Sequence, residues 1–383
     1  MTDINSMIDV LIYAEDPGAA NYVGHLPDAL ASSKISSTLL TDGLATDYLK
    51  DRGISGKSIE PGETAASIID TYKPKLILTG TSENLESFGL KLIQQGKHAG
   101  ILTVGVIDLP VNADRRFKGA SANPLQYAPD WLLVPDQGVK SPYEALGFSA
   151  DRIVICGHPH YDYIRQVANK LRKTDRLLLR NRILPDAPAD KPIVVFVAEP
   201  ASKLNPALTT RSSEYTLSGR NNTNWRTEIV LQELLDIFSA VKIAPYLVLR
   251  LHPKSNHSDF TAYQNNINLF SAGGNPLELL SLADLVVGMT SMLLQEATLM
   301  ERPTLSIIPR TCEKSWLLSI ASGLTPSVST RTELKAAIEI WASAWQTEAM
   351  YKNLPDTKTV FPVGSIDKVV NFIAGQMTVA TKH

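Results

Sequence analysis

The sequence predicts an α/β chain of two doubly wound halves, each a parallel sheet wrapped by helices. Three observations predict it. Short β-rich runs alternate with helical patterns through the first half. The same alternation restarts after a stretch rich in Pro, Asp and Ala at Leu184–Pro192. The 383 residues exceed what one hydrophobic core usually serves.

Taken in order, Asp9–Ala14 (DVLIYA) reads as a buried strand, Asp16–Ala19 as a turn and Asn21–Ser32 as a helix. Strands follow at Ser37–Leu40, Lys75–Thr79, Leu102–Ile107, Trp131–Val134 and Arg152–Cys156. The helices between them are expected over Leu44–Lys50, Thr64–Tyr72 and Leu85–Gln95. A charge-rich helical stretch covers Tyr161–Arg182. The second series runs strand Ile193–Ala198, helix Arg226–Val241, strand Tyr246–Leu251, strand Ile267–Phe270 and helix Pro276–Leu282. It continues with strand Asp284–Gly288, helix Met292–Met300, strand Thr304–Ile308 and a last helix at Ser365–Gln376. Expected domains are therefore 1–170 and 193–360, joined by a linker at 171–192, with 361–383 crossing back to the first. Ligands of such sheets sit beyond the carboxyl ends of the strands, so two halves facing each other make the cleft between them the expected site.

Composition narrows the function classes. Apolar residues at 44% and charged residues at 20% exclude a disordered chain, and a net charge of −2 leaves no electrostatic footprint for nucleic acid. Two cysteines without metal-type spacing, Cys156 and Cys312, predict a reducing cytoplasm. The polar start of the chain predicts no signal peptide, and no apolar run approaches a bilayer span; a peripheral membrane role stays open. An irregular stretch, Glu199–Trp225, carries Arg211, Ser212, Ser213, Tyr215 and Arg220 and is either an anion-meeting loop or a solvated one.

The residues that carry chemistry cluster in the second half. In Ala283–Arg310 a strand ends at Gly288, and Thr290 and Ser291 stand where a helix begins. Backbone N–H groups and the dipole at such a start favour an anion, and the two hydroxyls add donors. Glu296 follows Ser291 on that helix, a reach that suits a carboxylate holding ribose hydroxyls. The alternative is an ordinary cap and a solvated glutamate. Arg250 and His252 end another strand at alternate positions, with Lys254 just after, placed to meet phosphate. Asp16, Gly18 and Ala19 form the loop after the first strand, where glycine lets backbone approach a ligand. His158, His160 and Asp162 lie close together around Pro159, but a structural turn suits them better than a metal site.

The run Thr290-Ser291, Glu296-Ala297 and Pro303 resembles the donor-binding motif of non-hydrolysing UDP-N-acetylglucosamine 2-epimerases and many GT-B glycosyltransferases. Here Met292, Leu293 and Gln295 replace the glycines and paired acids of the epimerases. Arg250-Leu251-His252-Pro253-Lys254 is similar to the Arg-x-His-Pro segment of CDP-glycerol glycerophosphotransferases and capsule transferases. Gly157–Asp162 is similar to the turn that closes the N-terminal half in this superfamily. The resemblance implies a GT-B fold and a nucleotide-diphosphate sugar, of UDP or CDP type, as partner, with no bound metal or cofactor. Asp108 falls where the family has a catalytic Glu, whereas Thr81 falls where the epimerases have an Asp. The preferred expectation is therefore a glycosyltransferase, or a related transferase, for surface polysaccharide or glycoconjugate, with Asp108 as general base on an unknown acceptor. A 2-epimerase and a non-catalytic nucleotide-sugar-binding protein are the alternatives.

Overall fold

The computed structural model describes residues 7–380 apart from 111, 201–209, 221–222, 348 and 352–353. The chain divides into two compact units, Met1–Tyr163 with Phe361–His383, and Ile164–Val360. In the first unit the apolar runs become β1 (Val10–Ala14), β2 (Ser37–Thr41), β3 (Lys57–Ser58), β4 (Leu76–Gly80), β5 (Leu102–Val106), β6 (Trp131–Val134) and β7 (Ile153–Ile155). They form one parallel sheet ordered β3-β2-β1-β4-β5-β6-β7. Every residue of β1 and β4 is buried, as expected where helices cover both faces. The period-two geometry sorts them: Val10, Ile12, Ala14, Leu76 and Leu78 pack into one core, Leu11, Tyr13 and Ile77 into another.

Helix Ser365–Ala380 belongs to this unit, with Val369, Val370 and Ile373 in the core that holds Val10 and Ile12. Its start is pinned by the Asp162 carboxylate, which accepts from Gly364 N at 3.1 Å and Ile366 N at 3.0 Å.

The second unit repeats the plan with β8 (Ile193–Val197), β9 (Tyr246–Arg250), β10 (Leu269–Ser271), β11 (Leu285–Gly288), β12 (Thr304–Ile307) and β13 (Ser327–Val328). The order is β10-β9-β8-β11-β12-β13, again parallel. Val194, Phe196, Leu247, Leu249 and Val287 meet Ile229 and Leu234 of helix Arg226–Ala240 and Ile338 and Trp341 of helix Arg331–Gln346.

Several local expectations change. The turn read over Asp16–Ala19 is helical from Pro17, because the fixed φ of proline suits a first helical turn. The single helix expected over Asn21–Ser32 is two, Pro17–Val23 and Leu26–Ser32, divided at Gly24-His25. The stretch Tyr161–Arg182 divides too, into Pro159–Arg172 and Arg176–Ile183, because Asp175 accepts from Leu177 N and Leu178 N and caps a new start. The helix expected from Leu85 begins at Phe88, capped by Ser87. Residues 171–192 lie in the second unit. Among the described residues no helix is long and apolar enough to cross a membrane.

Candidate functional site

Strand order reverses at β1/β4 in the first unit and at β8/β11 in the second, so each sheet has a crevice at the carboxyl ends of those strands. The second crevice is narrow: a Cβ on Gly288 would stand 2.4 Å from Val197 Cγ2, so only glycine lets β11 end against β8. Beyond these strand ends stand Glu199 on one side and Thr290 and Ser291 on the other. Ser291 caps helix Met292–Leu299, accepting from Leu293 N at 3.3 Å.

Thr290 donates from its backbone N and its hydroxyl to the Glu199 carboxylate, the hydroxyl to Oε2 at 3.1 Å. Arg226, the first residue of its helix, pairs with Glu199 and reaches Thr290 Oγ1 at 3.3 Å. Its Nε donates to Glu313 Oε2 at 3.1 Å, and Arg310 Nε donates to the other Glu313 oxygen at 2.7 Å. Both guanidinia lie over Trp316, and Arg310 also over Tyr215. Arg226 is 4% exposed, and Glu313 is fully buried. Burial pulls the Arg226 pKa down, but Glu199 and Glu313 outweigh it and hold it above its ordinary value. The crevice is thus a part-buried, charge-balanced lattice in which an oxyanion already meets a backbone N–H, a hydroxyl and a guanidinium.

Of the residues named from sequence, Thr290 sits inside this lattice. Ser291 is a helix cap beside it. Arg250, at the end of β9, is turned toward β10, donating to Ser271 Oγ at 2.9 Å and Gly274 O at 3.2 Å. His252 accepts at Nδ1 from Lys254 N at 3.0 Å; burial first, then Lys254, brings its pKa down to about 4, with Glu199 opposing. Lys254 is exposed, and Glu296 is buried on its helix at 2% exposure. In the stretch Glu199–Trp225, residues 201–209 and 221–222 lie outside the described residues. Arg211 is bonded to Ser218 O and Arg220 is paired with Asp236, so these two are held locally. Glu199, Arg226, Arg310 and Glu313 were missed by sequence reading. Glu199 and Arg310 each follow shortly after a predicted strand end, a signal that was there to be used.

In the first unit Glu15 follows β1 and is buried, its Oε2 accepting from Tyr13 OH at 2.8 Å and Ser87 Oγ at 2.9 Å. Asp16 precedes helix Pro17–Val23. Ala19 is packed so closely on β4 that a Cβ on Gly80 would stand 2.4 Å from its own. Asp108, just past β5, pairs with Arg116 at 3.2 Å, and Arg116 also reaches Thr81 Oγ1 at 3.3 Å. Gly18 faces this carboxylate: a Cβ there would lie 2.0 Å from Asp108 Oδ2. The Arg116 Nε and the Tyr143 hydroxyl are buried without a hydrogen-bond partner among the described residues. Sequence reading thus named Gly18 and Asp108 separately, and the fold puts one against the other.

His158 and His160 form part of an aromatic stack with Tyr22, His25, Tyr161 and Tyr163. Burial drives the His158 pKa well below its ordinary value, and His25 goes down to about 3. Gly157 has φ +79°, and a Cβ there would strike Ser365 Oγ at 2.2 Å, so the turn seats the C-terminal helix.

No protein-family model matches the chain, and no curated protein matches it in sequence. Solved structures do match in shape. The UDP-GlcNAc 2-epimerase of Methanocaldococcus jannaschii superposes with a TM-score of 0.67 at 13% identity, covering 96% of this chain and 99% of its own. A glycosyltransferase from Rickettsia africae gives 0.60 at 13%, over 96% and 99%. The wall teichoic acid polymerase TagF gives 0.57 at 12%, over 98% and 90%. The fold is GT-B. The GT-B chain therefore carries two parallel-sheet Rossmann-like domains, each with a crevice of the kind at which this architecture places ligands.

Proposed function

We propose that this chain is a nucleotide-sugar-dependent glycosyltransferase, or a related transferase of nucleotide-diphosphate-linked groups, acting in surface polysaccharide or glycoconjugate synthesis. The observation that carries the reading is the β8/β11 crevice, where Thr290 N–H, Thr290 Oγ1 and Arg226 converge on an oxyanion, the Glu199 carboxylate. Donors arranged for one oxyanion suit another, and a departing diphosphate is the anion such a transferase must stabilise. In this reading the start of helix Met292–Leu299 with Ser291, together with Arg250, His252 and Lys254, binds the diphosphate. Glu296 binds the ribose.

Asp108 takes the proton of the acceptor hydroxyl, and its position against Gly18 and Arg116 holds the carboxylate in one orientation. The loop of Asp16, Gly18 and Ala19 gives that carboxylate its room. Likeness in fold to proteins solved with UDP-GlcNAc and UDP bound supports a nucleotide sugar as partner. Thermal-shift titration with UDP, CDP, GDP, dTDP and their sugars tests the reading, since a ligand of the native state raises the midpoint. A flat response to all of them refutes it.

One observation favours a second reading: the epimerase from M. jannaschii superposes better than the glycosyltransferase, 0.67 against 0.60. A 2-epimerase converts a sugar nucleotide with no acceptor present, so mass spectrometry and NMR of the donor alone separate the two.

A further inference from the structure

A cavity of about 160 Å³ lies in the second unit at the opposite edge of its sheet, by the amino ends of β11 and β12. Three guanidinia line it, those of Arg172, Arg176 and Arg302, with the hydroxyls of Thr174 and Ser281. Arg176 donates to Leu282 O and Asp284 Oδ1, each at 2.9 Å. Arg172 pairs with Glu301 and donates to Asn169 Oδ1 at 2.7 Å. Arg302 lies over the Tyr351 ring at 5.2 Å, and its Nε is buried without a hydrogen-bond partner among the described residues. Asp284 is drawn on further by Ile193 N at 2.8 Å and Tyr351 OH at 3.0 Å. Among the described residues two carboxylates therefore answer three guanidinia, and one buried donor is left over.

Burial first lowers the Arg302 pKa, and the charges of Arg176 and Arg172 add to it, with Tyr351 and Asp284 opposing. An incoming anion would relieve that crowding. The remaining wall is apolar, with Leu171 and Met300 among its residues. We infer that this cavity is a binding site for a phosphate ester, its oxyanion on the three guanidinia and its carbon part on the apolar wall. A guanidinium fork matches phosphate geometry, and the volume exceeds that of several waters. The ester has two sources of the same chemistry, a soluble phosphate ester or the headgroup of an anionic lipid. Leu177 and Leu178, 60% and 67% exposed on the neighbouring helix Arg176–Ile183, offer a lipid an additional apolar contact.

The test uses the full-length chain and glycerol 3-phosphate as the soluble probe in isothermal titration. Saturable binding is expected, weakened about tenfold or more by Arg302→Met, since charge-assisted bonds are the strong ones. Ser291→Ala and Glu296→Ala should leave it unchanged, which separates this site from the proposed donor site. Should Arg302→Met fail to fold by circular dichroism, Arg172→Gln at an exposed side chain carries the test with the same expected loss. Vesicles of phosphatidylglycerol and of phosphatidylcholine form the second arm. Co-flotation with phosphatidylglycerol alone, lost in the arginine variants and in Leu177→Ser, identifies a lipid headgroup. Titration without flotation identifies a soluble ester. No binding of glycerol 3-phosphate at millimolar concentration together with no flotation overturns the inference. So does binding that survives both arginine substitutions.

Discussion

Gly18→Ala places a single methyl group where the structure has no room for one. Residue 18 lies inside helix Pro17–Val23, so helix propensity alone predicts a gain of about 1 kcal/mol for alanine over glycine. The added Cβ would stand 2.0 Å from Asp108 Oδ2, far inside an ordinary contact of about 3.5 Å, so the carboxylate must move by more than an ångström. Asp108 is short and held by Arg116 at 3.2 Å, in a pair whose side chains are 14% and 7% exposed. Losing a hydrogen bond between charged groups costs about 1.5–3 kcal/mol, which outweighs the propensity gain. The expected outcome is a net destabilisation of about 0.5–2 kcal/mol, up to several degrees in Tm for a domain of this size, measured by urea melts and calorimetry. A double-mutant cycle isolates the cause. In the background of Asp108→Ala the same Gly18→Ala change should become neutral or stabilising, because nothing remains for the methyl group to strike. If Gly18→Ala melts at or above the wild type, Asp108 does not lie against residue 18, and the geometry assigned to this crevice is wrong.

Arg226→Met leaves Glu199 without its cation and the fully buried Glu313 with Arg310 alone, and should destabilise the second unit by about 3 kcal/mol, the low end for a broken buried pair. Adding Glu199→Gln, which neutralises the carboxylate that loses its cation, should recover part of that in urea melts, and a single variant as stable as wild type refutes the lattice. His25, brought down to about 3 by burial, then by His160 and Arg52, has a folded pKa below its unfolded value of 6.5, and His158 is shifted the same way. A depressed histidine contributes stability that is present above pH 6.5 and is lost as pH falls toward 3, at up to about 1.4 kcal/mol per histidine per pH unit. His25→Phe, which keeps a ring against Tyr163, should flatten the fall between pH 6.5 and 5, and an unchanged slope counts against it. On the proposed function, Asp108→Asn should lower kcat by about 10²-fold with little change in nucleotide affinity, and normal turnover demotes it. Ser291→Ala should weaken nucleotide binding by about 1 kcal/mol and Arg250→Ala by more, while Glu296→Ala should spare pyrophosphate; wild-type binding by all three places the donor elsewhere.

Much of the fold was legible because its central strands are buried on both faces and so read as unbroken apolar runs. DVLIYA, KLILT and the run over Ile193–Ala198 are of this kind, and they became β1, β4 and β8. The edge strands β3 and β13 went unread: each is two residues long, and Lys57-Ser58 is exposed, so no hydrophobic pattern is imposed on it. The breaks at Gly24-His25 and at Asp175 were also unread, because each is a local capping event inside a stretch whose periodicity favours helix on both sides.

The amino-acid sequence by itself determined the two α/β series, the strand ends and the residues standing just past them, among them Arg250, Thr290, Ser291 and Asp108. These follow from side-chain periodicity and turn chemistry, which act over a few residues. Only the tertiary structure decided which strand-end residues meet. Arg226 joins Glu199 across 27 residues, Thr290 across 64 and Glu313 across 87. Gly18 lies against Asp108 because β1 and β5 flank β4 in one parallel sheet. A charge carries no mark of its partner along the chain. The pairing arises when the reversal of strand order at β8/β11 brings distant strand ends together and burial makes an unpaired charge too costly to leave.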